Sequence, residues 1–350
     1  MTVALGSSVN QQNLSNSLTV SVVIPTYNRA HLILRAVHSA LAAISPGDEI
    51  IVVDDASTDN TAEVLSPYLT QIRYLPIPHG GAGKARNMGT QAARNPLVAF
   101  LDSDDEWFPH KLQMQRQLMA ARPDVLYCFS DFRVHLKTGE ELGRQLITWH
   151  EDNRSWNEIL GPSVPFSSLG TLPTAQEDFN IHIGDLYFNQ MLAPYVATYT
   201  VVARREEAGD ALRFAEDTPT FEDWECFGRL AGKGLGAYMD CETAWQWGHP
   251  GPRLTDANAF VRASTLLTIL PRVWGSDPQF LAKHDQQYQQ QIERLHLERA
   301  KCLLHQGRTR EARQDLAEVH RAPALYRVLA SLPGCLVNRL LHLRHGLGKV

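Results

Sequence analysis

Three carboxylates stand within four positions at Asp102-Ser103-Asp104-Asp105, directly behind the apolar run 97–101. Carboxylates this close repel one another and raise each other's pKa unless a cation sits among them. Their oxygens suit hard divalent ions such as Mg²⁺ or Mn²⁺, and a cation held there could bridge to a diphosphate. The same residues could instead cap a helix starting near 106–109. A second acidic pair, Asp54-Asp55, ends the apolar run 49–53 and is followed by Ser57-Thr58-Asp59. A carboxylate at a strand end can accept from a ribose hydroxyl or a base N–H; the plainer reading is a turn and helix cap. The segment 80–89 (GGAGKARNMG) is Gly-rich but not a Walker loop, because Ala85 follows Lys84 where Ser or Thr is required. A helix N-terminus there, with Lys84 or Arg86, could face a phosphate. Glu222-Asp223-Trp224-Glu225 offers a general base for a hydroxyl, or simply complements a helix dipole. His249 and Arg253, in a Pro/Gly-rich turn behind Trp245 and Trp247, could contact phosphate or lie in an exposed loop.

The elements that must position these groups are legible from period and composition. Residues 19–25, 49–53, 71–75 and 97–101 are short apolar or β-branched runs and read as strands. Between them, 30–43, 58–69 and 84–93 carry helical spacing. Strands alternating with helices argue for a parallel, doubly wound α/β sheet, whose ligands sit beyond the carboxyl ends of the strands. Tyr27-Asn28-Arg29, Asp54-Asp55 and the 102–105 cluster stand at those ends. Further on, 106–121 reads as a helix and 125–136 as a strand, 138–185 as irregular, 196–204 as a strand, 221–230 as a short helix and 237–247 as the last strand.

From about residue 256 the chain reads as a helical extension, with a tetratricopeptide-like or ordinary helix pair at 292–319. Residues 321–350 contain five Lys/Arg and no acid among Leu and Val. That stretch could lie on an anionic membrane surface or dock as a helix. Residues 1–18 read as a disordered lead-in. With 33 Lys+Arg against 38 Asp+Glu, a net charge of −5 in 350 residues argues against a basic nucleic-acid binder. Five scattered Cys, none in a C-x-x-C pair, argue against a disulfide framework or zinc ribbon. There is no Lys or Arg before Arg29 to mark a secretory signal, and no apolar run approaches the ~18 residues of a membrane span. A cytoplasmic protein is expected.

The order of the motifs is more specific than any one of them. V-S-V-V-I-P-T-Y-N-R (20–29), I-V-V-D-D-A-S-T-D-N-T (51–61), G-x-x-x-A-R-N-x-G (81–89), V-A-F-L-D-S-D-D-E-W (98–107) with P-x-K-L (109–112), and E-D-W-E (222–225) occur together. Over residues 19–255 the chain resembles the inverting, nucleotide-sugar-dependent glycosyltransferases of family 2, with the GT-A fold. The resemblance implies a nucleotide half at about 19–105, an acceptor half at about 106–255 and an uncovered extension at 256–350. It places Pro25, Tyr27 and Asp55 around the base, with Asp55 accepting from the base N–H. Arg86 and Asn87 would line the nucleotide and phosphate pocket, with Arg29 and Ser103 in the same donor site. Asp104, with Asp102 and His249, would make up the Mn²⁺ or Mg²⁺ site; Asp102 would contact ribose or metal-bound water, and His249 would lie near the diphosphate. Asp223 would be the catalytic base, supported by Glu222.

The implied donor is a nucleoside-diphosphate sugar, first of all a UDP-sugar. The acceptor would be a saccharide, a lipid-linked molecule or a protein, in bacterial cell-surface polysaccharide or glycoconjugate synthesis. A sugar nucleotidyltransferase and a non-catalytic scaffold are the rival readings. The first should carry a basic Gly-rich loop after the first strand, where this chain has Pro25-Thr26-Tyr27-Asn28-Arg29; the second would not need Asp104 and Asp223 together. One position departs from the family pattern. Ala56 stands where Gly is usual, which is harmless unless the turn needs φ > 0.

Overall fold

Val20–Thr26 (β1) and Glu49–Asp54 (β2) are almost entirely buried, as continuous β-branched runs are when helices cover both faces of a sheet. The computed structural model describes residues 18–150, 153–248 and 257–338. They fall into two compact units, one built from residues up to 216 with 222–251, the other from 217–221 with 252 onward.

In the first unit Ile33–Ala43 (α1), Thr61–Leu65 (α2), Arg73–Pro76 (β3), Gly81–Ala92 (α3) and Leu97–Phe100 (β4) complete the alternating series. There follow Glu106–Trp107 (β5), Lys111–Ala121 (α4), Val125–His135 (β6) and Glu141–Leu142 (β7). Next come Gln145–Trp149 (α5), Trp156–Leu160 (α6), Ser163–Pro165 (β8), Asn180–Gly184 (β9) and Tyr187–Leu192 (α7). Val202–Arg204 (β10), Arg205–Ala208 (α8), Glu222–Lys233 (α9) and Leu235–Trp247 (β11) close the unit. The sheet order is β3-β2-β1-β4-β10-β6-β11-β9-β8. β3, β2, β1 and β4 run parallel, as do β6 and β11, while β10 lies antiparallel between β4 and β6. This is the expected α/β architecture, mainly parallel and flanked by helices.

Three stretches differ from the sequence reading. The strand expected at 196–204 is a 3₁₀ turn at Thr198–Thr200 followed by the short β10. There the Thr200 hydroxyl donates to the Ala197 carbonyl at 2.8 Å, taking an acceptor a ladder would have used. Residues 106–107 are not helical. They pair with Ala244 and Trp245, because register shifts bend the end of β11 over towards them. The stretch read as irregular holds β8 and β9, which extend the sheet beyond β11. It also holds α6, whose capping box is closed by Glu158 accepting from the Ser155 amide at 2.8 Å. Trp156 and Tyr195, potential sugar platforms by type, belong to the core; the Trp156 ring stacks on Tyr238 at 3.7 Å.

In the second unit Ala259–Leu270 (α10), Pro278–His305 (α11), Thr309–Ala317 (α12) and Ala324–Ser331 (α13) are helical, as expected. The α11–α12 turn uses Gly307 at φ 72, with the Arg308 amide reaching back to the Leu303 carbonyl at 2.9 Å. Leu303, Leu304, Ala312, Leu316 and Leu329 form a small core of their own.

Candidate active site

Arg86 lies on the buried side of α3, and α3 sits close to its neighbours because two of its three glycines face them. A Cβ at Gly89 would meet Val23 Cγ1 of β1 at 2.3 Å, and one at Gly83 would meet the Ala215 carbonyl oxygen at 2.1 Å. The guanidinium, 5% exposed as a residue, joins two distant parts of the chain. Nη2 donates to Asp102 Oδ1 beyond β4 at 2.7 Å, and Nη1 donates to Glu222 Oε1 at the head of α9, also at 2.7 Å. Asp223 is the next residue. Its Oδ2 accepts from the Thr198 hydroxyl at 3.2 Å, and its Oδ1 accepts from the Trp224 amide at 2.8 Å. Phe221, immediately before the helix, takes φ 60, a strained turn for a bulky residue and a hallmark of functional sites.

Two carboxylates therefore share one guanidinium, and the charge of a third, Asp223, acts on it as well. Burial alone would lower the Arg86 pKa, but Asp102, Glu222 and Asp223 hold it protonated more firmly than an ordinary arginine. Burial pushes Asp102 upward, with Asp104 adding to the shift and Arg86 opposing it. Burial, then the charge of Glu222, push Asp223 up to about 7 despite Arg86.

The 102–105 loop separates its acids. Asp105 is 3% exposed and accepts from the Trp247 amide at 3.1 Å, which ties the loop to the end of β11. Ser103 is buried beside it. Asp104 is half-buried, its backbone carbonyl accepting from Arg35 at 2.7 Å and its carboxylate 3.9 Å from Arg29.

At the ends of β1 and β2 a second cluster forms. Tyr27 is 45% exposed, with its ring centroid 4.6 Å from that of His79. Beneath them Asp55, 3% exposed, takes the amides of Gly80 and Gly81 at 2.7 and 2.8 Å and lies 2.9 Å from His79 Nδ1. Oδ1, which takes only the Gly80 amide, keeps a further acceptor site. Pro25 is buried within β1. Asp54 turns inward to Tyr74 and to the Ser57 amide.

The structure thus gathers Arg86, Asp102, Glu222 and Asp223 into one network, and Tyr27 and Asp55 into another. Arg86 and Asn87, expected to line the nucleotide and phosphate pocket, have these protein partners. Both terminal nitrogens of Arg86 are on carboxylates, and Asn87 pins the Phe214 backbone, donating to its carbonyl at 2.9 Å and accepting from its amide at 2.8 Å. Lys84 folds back on the Pro78 carbonyl at 3.0 Å. His249 lies outside the described residues. Among the described residues no group of three or more His, Cys, Asp or Glu side chains is gathered as a metal centre. His79 and Thr198 were not anticipated. His79 could have been suspected as an aromatic next to the Gly-rich loop, whereas nothing local marks Thr198.

The family model "Glycosyl transferase family 2" matches residues 21–170. Over those residues the chain is similar to glycosyl transferase family 2. A putative teichuronic acid biosynthesis glycosyltransferase, TuaG of Bacillus subtilis, is 37% identical over 152 residues, 41% of this chain and 59% of that protein. WfgD of Escherichia coli, a UDP-Glc:alpha-D-GlcNAc-diphosphoundecaprenol beta-1,3-glucosyltransferase, is 32% identical over 137 residues, 38% of this chain and 54% of that protein. The chain thus spans less than two thirds of these relatives. Among solved structures, residues 1–349 of S. aureus TarS in complex with UDP-GlcNAc align over 95% of this chain and 92% of that one, with a TM-score of 0.61 at 15% identity. That likeness extends the shared fold, of the GT-A type, well beyond residue 170. No helix among the described residues is long and apolar enough to cross a membrane.

Proposed function

We propose that the chain is an inverting glycosyltransferase that moves a sugar from a UDP-sugar to an acceptor hydroxyl, with Asp223 as the base. The observation that carries this reading is the bridge from Asp102 through Arg86 to Glu222, which sets the acid-rich loop after β4 beside the head of α9. A donor-site carboxylate and a candidate base are thereby held in one cluster. Asp223, near neutrality in pKa, is suited to take the proton of the incoming hydroxyl. The oxygen then attacks the anomeric carbon from the face opposite the diphosphate, inverting it, through an oxocarbenium-like transition state. Thr198 and the Trp224 amide orient the carboxylate, and Glu222 keeps Arg86 in place. Tyr27 and His79 offer a stacking face for the base, with Asp55 to accept from its N–H. The uridine preference is supported by the names of WfgD and of the TarS complex.

A hard divalent cation fits the donor chemistry of Asp102 and Asp104, which is oxygen only, with both carboxylates half-buried. Mn²⁺ or Mg²⁺ bound there would neutralise charge developing on the leaving diphosphate. A polysaccharide or lipid-linked acceptor is supported by what TuaG and WfgD are named for. Free Cys128, Cys226, Cys241, Cys302 and Cys335 fit a cytoplasmic reaction.

The test separates binding from chemistry. Asp223→Asn is expected to lower kcat by about 10²–10⁴-fold while leaving the UDP dissociation constant nearly unchanged. Asp104→Asn is expected to weaken UDP binding in Mn²⁺ and to leave binding in EDTA unaltered. Loss of UDP binding in a folded Asp223→Asn protein would contradict the base assignment.

A further inference from the structure

The last described residues of the second unit present exposed apolar side chains. On α13, Leu329 and Ala330 turn into the small core with Leu303 and Leu316. Leu325 and Val328, one turn apart on the other side, are 51% and 58% exposed. Past Ser331 the chain repeats the division, with Val337 buried and Leu336 48% exposed. Of the six large apolar side chains most exposed among the described residues, three lie within positions 325–336. Such concentration marks an interaction surface.

Its charge indicates what covers it. Arg321 and Arg327 are exposed beside Leu325 and Val328 in sequence. From His320 to Val350 the chain has Arg321, Arg327, Arg339, Arg344 and Lys349 and no acid, the last three lying outside the described residues. A second copy docking here through a two-fold would set arginine against arginine, since an isologous interface puts the same patch on both sides. An anionic, fluid apolar phase satisfies both features. Leucine and valine enter the acyl boundary while the cations remain among the headgroups.

We propose that the face bearing Leu325, Val328 and Leu336, with Arg321 and Arg327, seats this protein on the surface of a membrane containing anionic lipid. The proposal does not depend on the transfer chemistry. It would bring the enzyme to acceptors carried on lipid.

The test is co-sedimentation of the full chain with vesicles of phosphatidylcholine alone and of phosphatidylcholine mixed with phosphatidylglycerol. Binding is expected with the mixed vesicles only, and it should fall as salt is raised. Leu325→Ser with Val328→Ser should lower the partition coefficient about tenfold or more. Arg321→Glu with Arg327→Glu should lower it comparably. UDP affinity should be unchanged in both variants, so a failure of this surface is distinguishable from a failure of the nucleotide site. Absence of binding to the mixed vesicles would overturn the proposal. So would equal binding to the neutral ones, or undiminished binding by both variants. A solution dimer that dissociates in the Leu325/Val328 variant, without vesicle binding, would assign the face to a second copy instead.

Discussion

A base that must take a proton from a hydroxyl near neutral pH works best with a pKa near that pH. Asp223 has one because burial, then the charge of Glu222 beside it, raise it further than Arg86 lowers it. The sign follows directly. The base is active when ionised, so kcat/KM should fall as pH drops through about 7 and level off above it. With one group titrating there, the value at pH 6 should be about a tenth of that at pH 8. Glu222→Gln removes the neighbouring charge that raises Asp223, so its acidic limb should move to lower pH. An unmoved limb would detach Asp223 from the observed titration. The sequence named both acids but could not supply their shared partner. Arg86 and Glu222 are 136 positions apart, and only the packing of Gly83 and Gly89 brings α3 close enough to join them.

At the scale of elements, the turn after β2 carries a local conflict. Ala56 adopts φ 64, the left-handed region where Cβ crowds the backbone and Gly is free. The sequence reading allowed alanine unless the turn needed positive φ, and it does. Ala56→Gly should relieve about 1–2 kcal/mol of strain, offset by about 0.4–1 kcal/mol of extra unfolded-chain entropy. A net gain in stability of several tenths of a kcal/mol is expected, read as a higher urea midpoint at unchanged m-value; a lower midpoint would contradict the strain. β1, β2 and β4 were legible because strands buried on both faces are written as unbroken β-branched or apolar runs. β8 and β9 were not, being short and fixed by pairing with each other and with β11 rather than by their own composition, and of the strand read at 196–204 only the last three residues pair, as β10. The 3₁₀ turn that delivers Thr198 to Asp223 depends on the same long-range pairing.

For the whole molecule, the family model ends at residue 170, before the α9 head at Glu222 and Asp223. Activity therefore requires that the matched nucleotide half and that later helix form one working site. Calorimetric titration of the protein with UDP, GDP, TDP and CDP, each in Mn²⁺ and in EDTA, addresses this most directly when repeated on Arg86→Met, which cuts the link between Asp102 and α9. Binding of UDP alone, dependent on Mn²⁺ and lost or strongly weakened in a folded Arg86→Met protein, is the predicted result. No nucleotide binding by the folded wild-type chain would contradict the assignment of a nucleotide-sugar site.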